Sequence, residues 1–414
     1  MTRIRTVDSM DMDCLVIGNG AAGLICATRL ATKGYKVGVV GEGQTSTSLS
    51  TGCITSLHPV KGEMMDRDGM RAVFPYSMEA ETEDLMMVFE DMFSFLLPEL
   101  DLVGLPMRGN MVTVRRMLTS VGTEYQCSIP QLFSLQGRIE DLRGSKAALL
   151  GIMGHGDSDP DMVSSMVRSW SDMEIDPYWT SPSSLEGRTD LTSSEVARLC
   201  RRTDLMDELV EAISQIDAES VGLPPLLDLD GYRKGMEYLQ SRSGRKVFEL
   251  ITPLSLPGIR FQSALEALAR SKGCSMLNGW RVTELEIDQA GVDGAILESR
   301  SRRRKVEAGA LVLATGDTVG GGLNITGQTI ASPLLGSREA RETVELDRKG
   351  LLNISLEGIE VDDRLRPSID GVNLRNMVTA GSVIKGFSYP SGTGMGASMF
   401  TAWKAAETVM EVLQ

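Results

Sequence analysis

Two apolar runs near the start of the sequence flank a stretch of small residues. Residues 13–17 and 36–40 are mostly apolar and bounded by turn residues, which predicts two strands. Residues 22–32 between them carry small and apolar side chains at helical spacing, and Gly34 is a natural helix stop. The pattern therefore predicts a β–α–β unit.

Three glycines lie in the turn of this unit at the spacing G-x-G-x-x-G, which in a strand–turn–helix context is the fingerprint of nucleotide binding. Gly18 permits the tight turn, Gly20 lets backbone N–H groups approach a pyrophosphate, and Gly23 lets the helix pack on the sheet. The helix N-terminus adds partial positive charge. The alternative is a purely structural turn. We predict that a nucleotide cofactor contacts Gly18, Gly20, Ala22 and Gly23.

The acidic residue that holds the ribose in such a unit comes about 18 residues after the last glycine. Gly41 is at that position, and the carboxylate of Glu42 follows one residue later. We therefore predict Glu42 as the ribose ligand.

In three further segments, small or polar residues lie at or next to the ends of predicted strands and helices. Residues 43–59 are rich in Ser and Thr, which cannot form a core but can line a cofactor. The apolar strand in 308–316 ends in A-T-G, a turn that commonly packs on a flavin nucleotide. Residues 376–381 form a strand before a glycine-rich loop and a C-terminal helix. The predicted cofactor contacts in these segments are Ser50, Thr51, Gly52, Thr315, Gly316, Gly381, Ser382, Gly392, Gly394, Met395 and Gly396.

The middle of the chain has α/β patterning but no glycine fingerprint of its own. We predict an α/β protein with a Rossmann-like flavin-binding domain of the glutathione-reductase type and an inserted α/β lobe. The flavin domain would comprise residues 1–143 and 256–414, and the lobe residues 144–255. We assign the lobe to substrate or partner contacts.

Other local patterns predict element boundaries. A helix over 82–98 should end at Pro98. A capping box at 192–195 should open one long amphipathic helix that reaches residue 216. The basic block 302–305 lies between two strand-like runs and is predicted as a solvated hairpin turn.

Composition excludes several classes of function. The net charge of −14 argues against a nucleic-acid partner. No apolar run approaches the ~20 residues of a membrane helix, and the N-terminus lacks an apolar signal core, so we expect a cytoplasmic protein without a membrane span. Six scattered cysteines and two histidines predict no metal site and no iron–sulfur cluster.

Several stretches resemble the B subunit of anaerobic glycerol-3-phosphate dehydrogenase. They are CLVIGNGAAGLICATRL, GEGQTSTSLSTGCITSL, LPGIRFQSALEALARSKG, LVLATGDTVGGGL and DDRLRPSIDGVNLRNMVTAGSVIKGFSYPSGTGMGAS. The resemblance covers most of the chain and is weakest at 60–140. It implies a flavoprotein of the cytoplasmic face, attached peripherally at the membrane through a partner. It also implies assembly with a larger A-type flavoprotein subunit and with a C-type iron–sulfur subunit. Together these proteins would oxidise glycerol 3-phosphate to dihydroxyacetone phosphate and pass electrons toward quinone.

The flavin could be FAD or FMN. Many relatives of the fold carry Asp after the last A-G, whereas this chain has Ser382 after Gly381, and Gly41 replaces the ribose carboxylate. These departures keep FMN, the flavin usually described for proteins of this family, as the alternative. We predict FAD because the fingerprint turn is shaped for a pyrophosphate.

Alcohol oxidation needs a base for the hydroxyl proton and cations for the substrate phosphate. We consider His58 as the base, with a structural or exposed histidine as the alternative. Arg260 and Lys385 are the candidate phosphate ligands, with ordinary salt bridges as the alternative. Two other functions stay open: a stand-alone FAD-dependent oxidoreductase of the fumarate-reductase or ketosteroid-dehydrogenase type, and a non-catalytic electron-relay or scaffold protein.

Overall fold

The computed structural model describes residues 5–55, 82–111, 113–157, 159–288, 290–300, 302–326, 329–335, 342–343, 358–387 and 394–414. The chain divides into two compact units. Unit 1 comprises residues 1–46, 56–94 and 265–414, and unit 2 comprises residues 47–55 and 95–264.

The elements are numbered along the chain. The strands are β1 (Arg5–Ile17), β2 (Val37–Gly41), β3 (Arg115–Leu118), β4 (Glu124–Cys127), β5 (Ala147–Ile152), β6 (Ile175–Thr180), β7 (Ser220–Leu223), β8 (Lys246–Glu249), β9 (Ser275–Asn278), β10 (Arg281–Asp288), β11 (Gly291–Ser299), β12 (Arg302–Leu313), β13 (Asn324–Thr326), β14 (Thr329–Ala331), β15 (Glu342–Thr343), β16 (Ser368–Ile369), β17 (Val372–Asn373) and β18 (Met377–Thr379). The helices are α1 (Ala21–Thr32), α2 (Thr82–Leu102), α3 (Leu132–Leu135), α4 (Ile139–Leu142), α5 (Pro160–Trp170), α6 (Ser193–Leu199), α7 (Thr203–Gln215), α8 (Leu229–Ser243), α9 (Leu256–Ser271) and α10 (Met395–Leu413).

Unit 1 is built on a seven-stranded mixed sheet of order β10-β11-β12-β1-β2-β9, in which β18 also pairs with β12. The pairs β1–β12, β1–β2, β2–β9 and β12–β18 are parallel, and β10, β11 and β12 form an antiparallel meander. The predicted β–α–β unit therefore exists and contributes the centre of the sheet.

Helix α1 is almost wholly buried because it packs against β1, β2 and α10. Its one basic residue, Arg29, stacks its guanidinium 4.0 Å from the ring centroid of Trp403 on α10 and donates to Glu407 at 3.0 Å. Phe89 of α2 packs on Phe400 of α10 with ring centroids 5.3 Å apart. The C-terminal helix is thus part of the core of unit 1.

Unit 2 contains a four-stranded, all-parallel sheet of order β6-β5-β7-β8. Every residue of β5 is buried, as expected for a central strand covered on both faces. The hairpin β3–β4 belongs to the same unit, and its Thr119 forms a bridge with Ile251. The apolar core of this unit contains Leu118, Ile139, Leu142, Ala147, Leu149, Val163, Val167, Met173, Ile175, Phe248 and Leu250.

The boundaries of the two units differ from the domain boundaries predicted after residues 143 and 255. The predicted lobe 144–255 lies inside unit 2, but residues 95–143 and 47–55 also belong to that unit. The physical reason is hydrogen bonding: Ile54 forms a bridge with Ile129, and the Leu118 carbonyl accepts from the Ile251 amide at 3.1 Å. Pairings of this kind join segments that are far apart in sequence.

Three local predictions were wrong. Helix α2 continues through Pro98, because Leu96 and Leu100 on either side are fully buried and hold the helical path. The capping box of Thr192 and Glu195 is confirmed, but the long helix is broken into α6 and α7 by extended backbone at Arg202.

The basic block 302–305 is also not a turn. It lies inside strand β12, where Arg303 pairs with Glu284 at 3.3 Å and Lys305 pairs with Glu286 at 2.9 Å. The chain reverses before it, where Arg300 has a φ of +49°. Carboxylates on β10, two strands away in the same sheet, therefore pair with the basic block.

Candidate functional site

The parallel strands of unit 1 bring several predicted cofactor segments to one edge of one sheet. Ile17 at the end of β1 is in register with Val40 and Leu313, and Leu313 is in register with Thr379. Because these strands run in the same direction, the residues that follow them lie at the same carboxyl edge. In open parallel sheets this edge is where ligands bind.

The first glycine of the fingerprint is required by its surroundings. Gly18 has a φ of +118°, a backbone conformation that residues with a side chain rarely adopt. A Cβ at this position would also overlap the Ala314 carbonyl oxygen. A Cβ on Gly23 would overlap the Gly18 carbonyl oxygen. The turn can therefore lie against β12 and against α1 only with glycine at both positions.

The N-terminus of α1 has no side-chain cap. Gly20 is its N-cap residue, with a φ of −76°, and the first turn contains no acidic residue. Ala22 in that first turn is buried and adds only a methyl group. A helix terminus that has backbone donors, no capping side chain and no nearby carboxylate is suited to a phosphate.

The turn after β12 is a compact loop closed by Asp317. The Asp317 carboxylate accepts from the amides of Val319 and Gly320, each at 2.9 Å. Gly316 has a φ of +80°. The Oγ1 atom of Thr315 is buried and has no hydrogen-bond partner among the described residues. A buried hydroxyl without a hydrogen-bond partner costs free energy. The Thr315 hydroxyl is therefore suited to form a hydrogen bond with a polar group of a bound ligand.

The last predicted segment packs directly on the first. Gly381 has a φ of +80°, donates its N–H to Thr401 Oγ1 at 2.9 Å, and a Cβ there would lie 2.7 Å from the Ala22 Cβ. Ser382, buried, comes next. Gly394 is the N-cap of α10 and, like Gly20, provides no side-chain cap. Met395 and Gly396 open that helix. Gly392 lies outside the described residues.

Glu42 directly follows β2, at the same sheet edge, and forms an exposed ion pair with Arg281 at 2.5 Å. Such a pair is worth about 0–1 kcal/mol, so a ribose could replace it at little cost. A Cβ on Gly41 would meet the end of the Asn19 side chain, so a larger residue at position 41 would require that side chain to move.

The other predicted cofactor loop lies in unit 2, and its polar groups have partners there. Ser50 Oγ donates to the Thr47 carbonyl at 2.7 Å, and Thr51 Oγ1 donates to Tyr125 Oη at 3.1 Å. The Gly52 carbonyl accepts from Gln131 Nε2 at 3.1 Å. Contact of Ser50, Thr51 and Gly52 with the cofactor stays a prediction.

The structure contradicts the prediction that Arg260 binds the substrate phosphate. Its side chain is fully buried and forms a two-pronged salt bridge with Glu249. It also donates to Gln131 Oε1 at 3.0 Å and to the Leu227 carbonyl at 2.6 Å, and it stacks 3.9 Å from the Tyr232 ring centroid. A guanidinium with its donors used in this way has no surface for a substrate, so Arg260 is structural.

The other two predicted catalytic residues are not tested by this geometry. His58 lies outside the described residues. Lys385 is partly exposed and forms an ion pair with the exposed Glu360 at 3.2 Å. A carboxylate partner can be exchanged for a phosphate, so phosphate binding by Lys385 stays a prediction.

His155, the other histidine, is buried in unit 2. Its Nε2 atom lies 2.9 Å from Ser193 Oγ, and Ser193 in turn donates to Asp157. Burial lowers the pKa of His155, and the Asp157 carboxylate only partly opposes this. A neutral, enclosed imidazole of this kind has a structural role.

Two residues that organise the site were missed from the sequence. Asp317 closes the turn after β12, and Thr401 on α10 accepts the Gly381 amide. The G-D-x-x-G spacing at 316–320 was a usable turn signal for Asp317. Thr401 had no such signal, because its partner is 20 residues away.

These residues fit an FAD. The N-terminus of α1 would take the pyrophosphate, and Glu42 the adenosine ribose. Thr315, Gly381 and the N-terminus of α10 would contact the remainder of the flavin nucleotide. When bound, the flavin supplies an acceptor for a hydride.

Comparison with known proteins agrees with this fit. Residues 13–84 match the FAD binding domain family. The predicted α/β fold with a flavin-binding domain and the predicted FAD cofactor are thereby confirmed. The fold and the site define a flavoprotein oxidoreductase.

The resemblance noted in the sequence is also confirmed. The chain is 26% identical to the B subunit of the anaerobic glycerol-3-phosphate dehydrogenase of Glaesserella parasuis serovar 5 (strain SH0165), over 97% of this chain and 100% of that protein. It is 26% identical to the protein of the same name from Yersinia enterocolitica, over 98% and 99% of the two chains. The similarity therefore includes both units.

Among solved structures, the open conformation of a flavocytochrome c3 fumarate reductase aligns with 98% of this chain and 79% of that chain, at 10% identity and a TM-score of 0.46. Because this TM-score is below 0.5, the fold assignment rests on the strand order and on the FAD binding domain match. In the part of the chain that the structure describes, no helix is long and apolar enough to cross a bilayer. Within the same ranges, no cluster of three or more His, Cys, Asp or Glu residues could hold a metal ion.

Proposed function

We propose that this chain is the B-type flavoprotein subunit of an anaerobic glycerol-3-phosphate dehydrogenase complex. The complex would oxidise glycerol 3-phosphate to dihydroxyacetone phosphate and pass electrons toward quinone. The observation that supports this most directly is the similarity to proteins of that name over 97–98% of this chain and nearly their whole length. A shared single domain would not extend through both units.

The partners in this proposal are an A-type flavoprotein and a C-type iron–sulfur protein. The chain itself offers no thiolate cluster that could carry single electrons onward: its six cysteines are dispersed in sequence, and all six are buried free thiols. We propose that the assembly lies in the cytoplasm, at the inner face of the membrane, attached through a partner.

The oxidation removes a hydride equivalent from the carbinol carbon and a proton from its hydroxyl group. The residues of the predicted flavin site would hold the cofactor: the N-termini of α1 and α10 offer positive partial charge, and the glycines allow close backbone approach. His155 is enclosed and hydrogen-bonded, which leaves it unsuited as the base. We therefore propose that proton removal depends on His58 or on the A-type partner.

Dye-linked oxidation of glycerol 3-phosphate tests this proposal. The purified chain should release FAD on acid treatment, yet oxidise glycerol 3-phosphate poorly by itself. Adding the A-type flavoprotein should restore oxidation with an artificial dye, and quinone reduction should also need the iron–sulfur protein. Turnover by the isolated chain at a typical enzyme rate, on the order of 10 per second, would instead favour a stand-alone oxidoreductase. A colourless chain would favour a scaffold.

A further inference from the structure

Helix α5 of unit 2 has one buried face and one exposed apolar face. Val163 and Val167 are fully buried in the core of the unit. Met162, Met166 and Trp170 are spaced four residues apart, which places them on one side of the helix, and they are 44%, 42% and 37% exposed. An amphipathic surface helix would have polar residues at these positions.

Two neighbouring residues extend this surface. Trp170 Nε1 donates to the Gly122 carbonyl at 2.8 Å, which places Val121, 50% exposed, beside the helix. Trp179 of β6, 42% exposed, donates its Nε1 to Asp161 Oδ2 at 2.6 Å, next to Met162. We call the five apolar residues the α5 face: Val121, Met162, Met166, Trp170 and Trp179.

The composition of the α5 face is that of a protein contact site. Trp and Met are enriched at interfaces, because Trp buries a large area and the flexible thioether of Met adapts to an irregular partner. Contiguous exposed apolar patches on soluble proteins commonly mark interaction surfaces, whereas single exposed apolar residues do not.

The chain segment that carries α5 is acidic. Residues 159–176, which form α5 and its flanks, contain five carboxylates and a single arginine, Arg168. All five carboxylate residues are exposed: Asp159, Asp161, Asp172, Glu174 and Asp176. A complementary partner would therefore carry an apolar centre surrounded by Lys or Arg.

A second copy of this chain is a poor occupant. In a two-fold dimer the same patch faces itself, which would bring the two acidic segments together, and the whole chain carries a net charge of −14. Sheet extension is also disfavoured. Strand β6 is at the edge of its sheet, but Pro177 in its middle has no N–H to donate.

We propose that the α5 face docks a partner protein of the proposed complex, through a surface that is apolar at its centre and basic at its rim. This inference depends on the proposed function, since it takes its partner from that complex. It adds the place of contact and the charge of the surface that binds there.

The test uses the full chain and measures its affinity separately for the A-type flavoprotein and for the C-type iron–sulfur protein. The double variant Met162→Glu/Met166→Glu puts two charges into the apolar centre. The matched control is Met87→Glu, because Met87 is 61% exposed but lies on α2 in unit 1. Flavin content and thermal unfolding of each variant check that it is folded.

We expect the double variant to bind one of the two partner proteins at least 10-fold more weakly, while Met87→Glu binds like the wild type. The charge-reversed variant Asp172→Lys/Glu174→Lys should weaken the same interaction, as should added salt. Wild-type affinity of the double variant for both partners would overturn the docking site and leave the proposed complex standing.

Two other outcomes are distinct from that one. A wild-type chain that binds neither partner would refute the complex and, with it, this assignment of the face. A concentration-dependent dimer of the isolated chain that the double variant abolishes would show that a second copy covers the face, which overturns the proposed occupant.

Discussion

The N-termini of α1 and α10 in unit 1 contrast with those of α5, α6 and α8 in unit 2, although α3, α4 and α7 of unit 2 also begin without a side-chain cap. In unit 1, α1 and α10 begin after Gly20 and Gly394, and neither N-terminus has a side-chain cap. In unit 2, Asp159, Thr192 and Asp228 accept backbone N–H groups at the starts of α5, α6 and α8. A capped terminus contributes to stability, whereas an uncapped one is suited to an anionic ligand.

One buried polar side chain from each unit gives a second comparison. Unit 2 satisfies its buried Arg260 internally, through Glu249, Gln131 and the Leu227 carbonyl. In unit 1 the buried Thr315 Oγ1 has no partner among the described residues. The comparison teaches that a buried charge with a full set of protein partners, such as Arg260, has a structural role.

The largest effect should come from breaking the internal pair of unit 2. Replacing Arg260 with Met leaves Glu249 buried and unpaired, which should cost about 3–5 kcal/mol of unfolding free energy. Urea unfolding followed by circular dichroism measures this. The double variant Arg260→Met/Glu249→Leu should recover a large part of the loss. Equal stability of Arg260→Met and wild type would make Arg260 a candidate substrate ligand again.

Giving unit 1 the kind of cap used in unit 2 should remove its ligand. The Gly20→Asp variant supplies a capping carboxylate at the place where a phosphate is predicted to bind, so flavin affinity should fall at least 100-fold, or about 2.7 kcal/mol. Flavin titration by fluorescence quenching measures the loss. Gly20→Asn, which has the same size but no charge, separates repulsion from bulk. Stoichiometric flavin in purified Gly20→Asp would refute the pyrophosphate assignment.

The buried histidine should make unit 2 sensitive to acid. Because burial lowers the folded pKa of His155 below its usual 6.5, the unfolded chain takes up the proton first as pH falls. Stability should therefore decline as pH falls through about 6.5, by at most about 1.4 kcal/mol per pH unit from this group. Unfolding curves at pH 7.5 and 6.0 measure the decline. His155→Gln should show a smaller one, and an unchanged decline would exclude this group as its cause.

The smallest effect should come from removing one cap of unit 2. Thr192 accepts the Glu195 amide, and Glu195 accepts the Thr192 amide in return, so Thr192→Ala should cost roughly 1 kcal/mol. Thermal unfolding measures it, with Thr192→Ser as the matched control that retains the hydroxyl. Flavin affinity should not change. A loss of flavin in Thr192→Ala would contradict the assignment of this cap to stability alone.

The sequence predicted the elements whose signals are local. The β1–α1–β2 unit, the capping box at Thr192 and the strand that ends at Leu313 each follow from residues close together in the chain. The role of Gly18 was also predicted from local spacing in a strand–turn–helix unit, although the contact that excludes a side chain there, with the Ala314 carbonyl, comes from a distant segment. The cofactor class was therefore accessible without a structure.

What only the tertiary structure decided depends on contacts between distant segments. A sequence does not show whether an arginine side chain forms a salt bridge or is exposed to solvent. Arg260 was therefore predicted as a substrate ligand, although the structure shows it in a buried salt bridge with Glu249. The membership of residues 95–143 in unit 2 depends on pairings such as Thr119 with Ile251. The continuation of α2 through Pro98 depends on the burial of Leu96 and Leu100. In each case the free energy comes from burial and hydrogen bonds across long sequence separations, which local propensity does not contain.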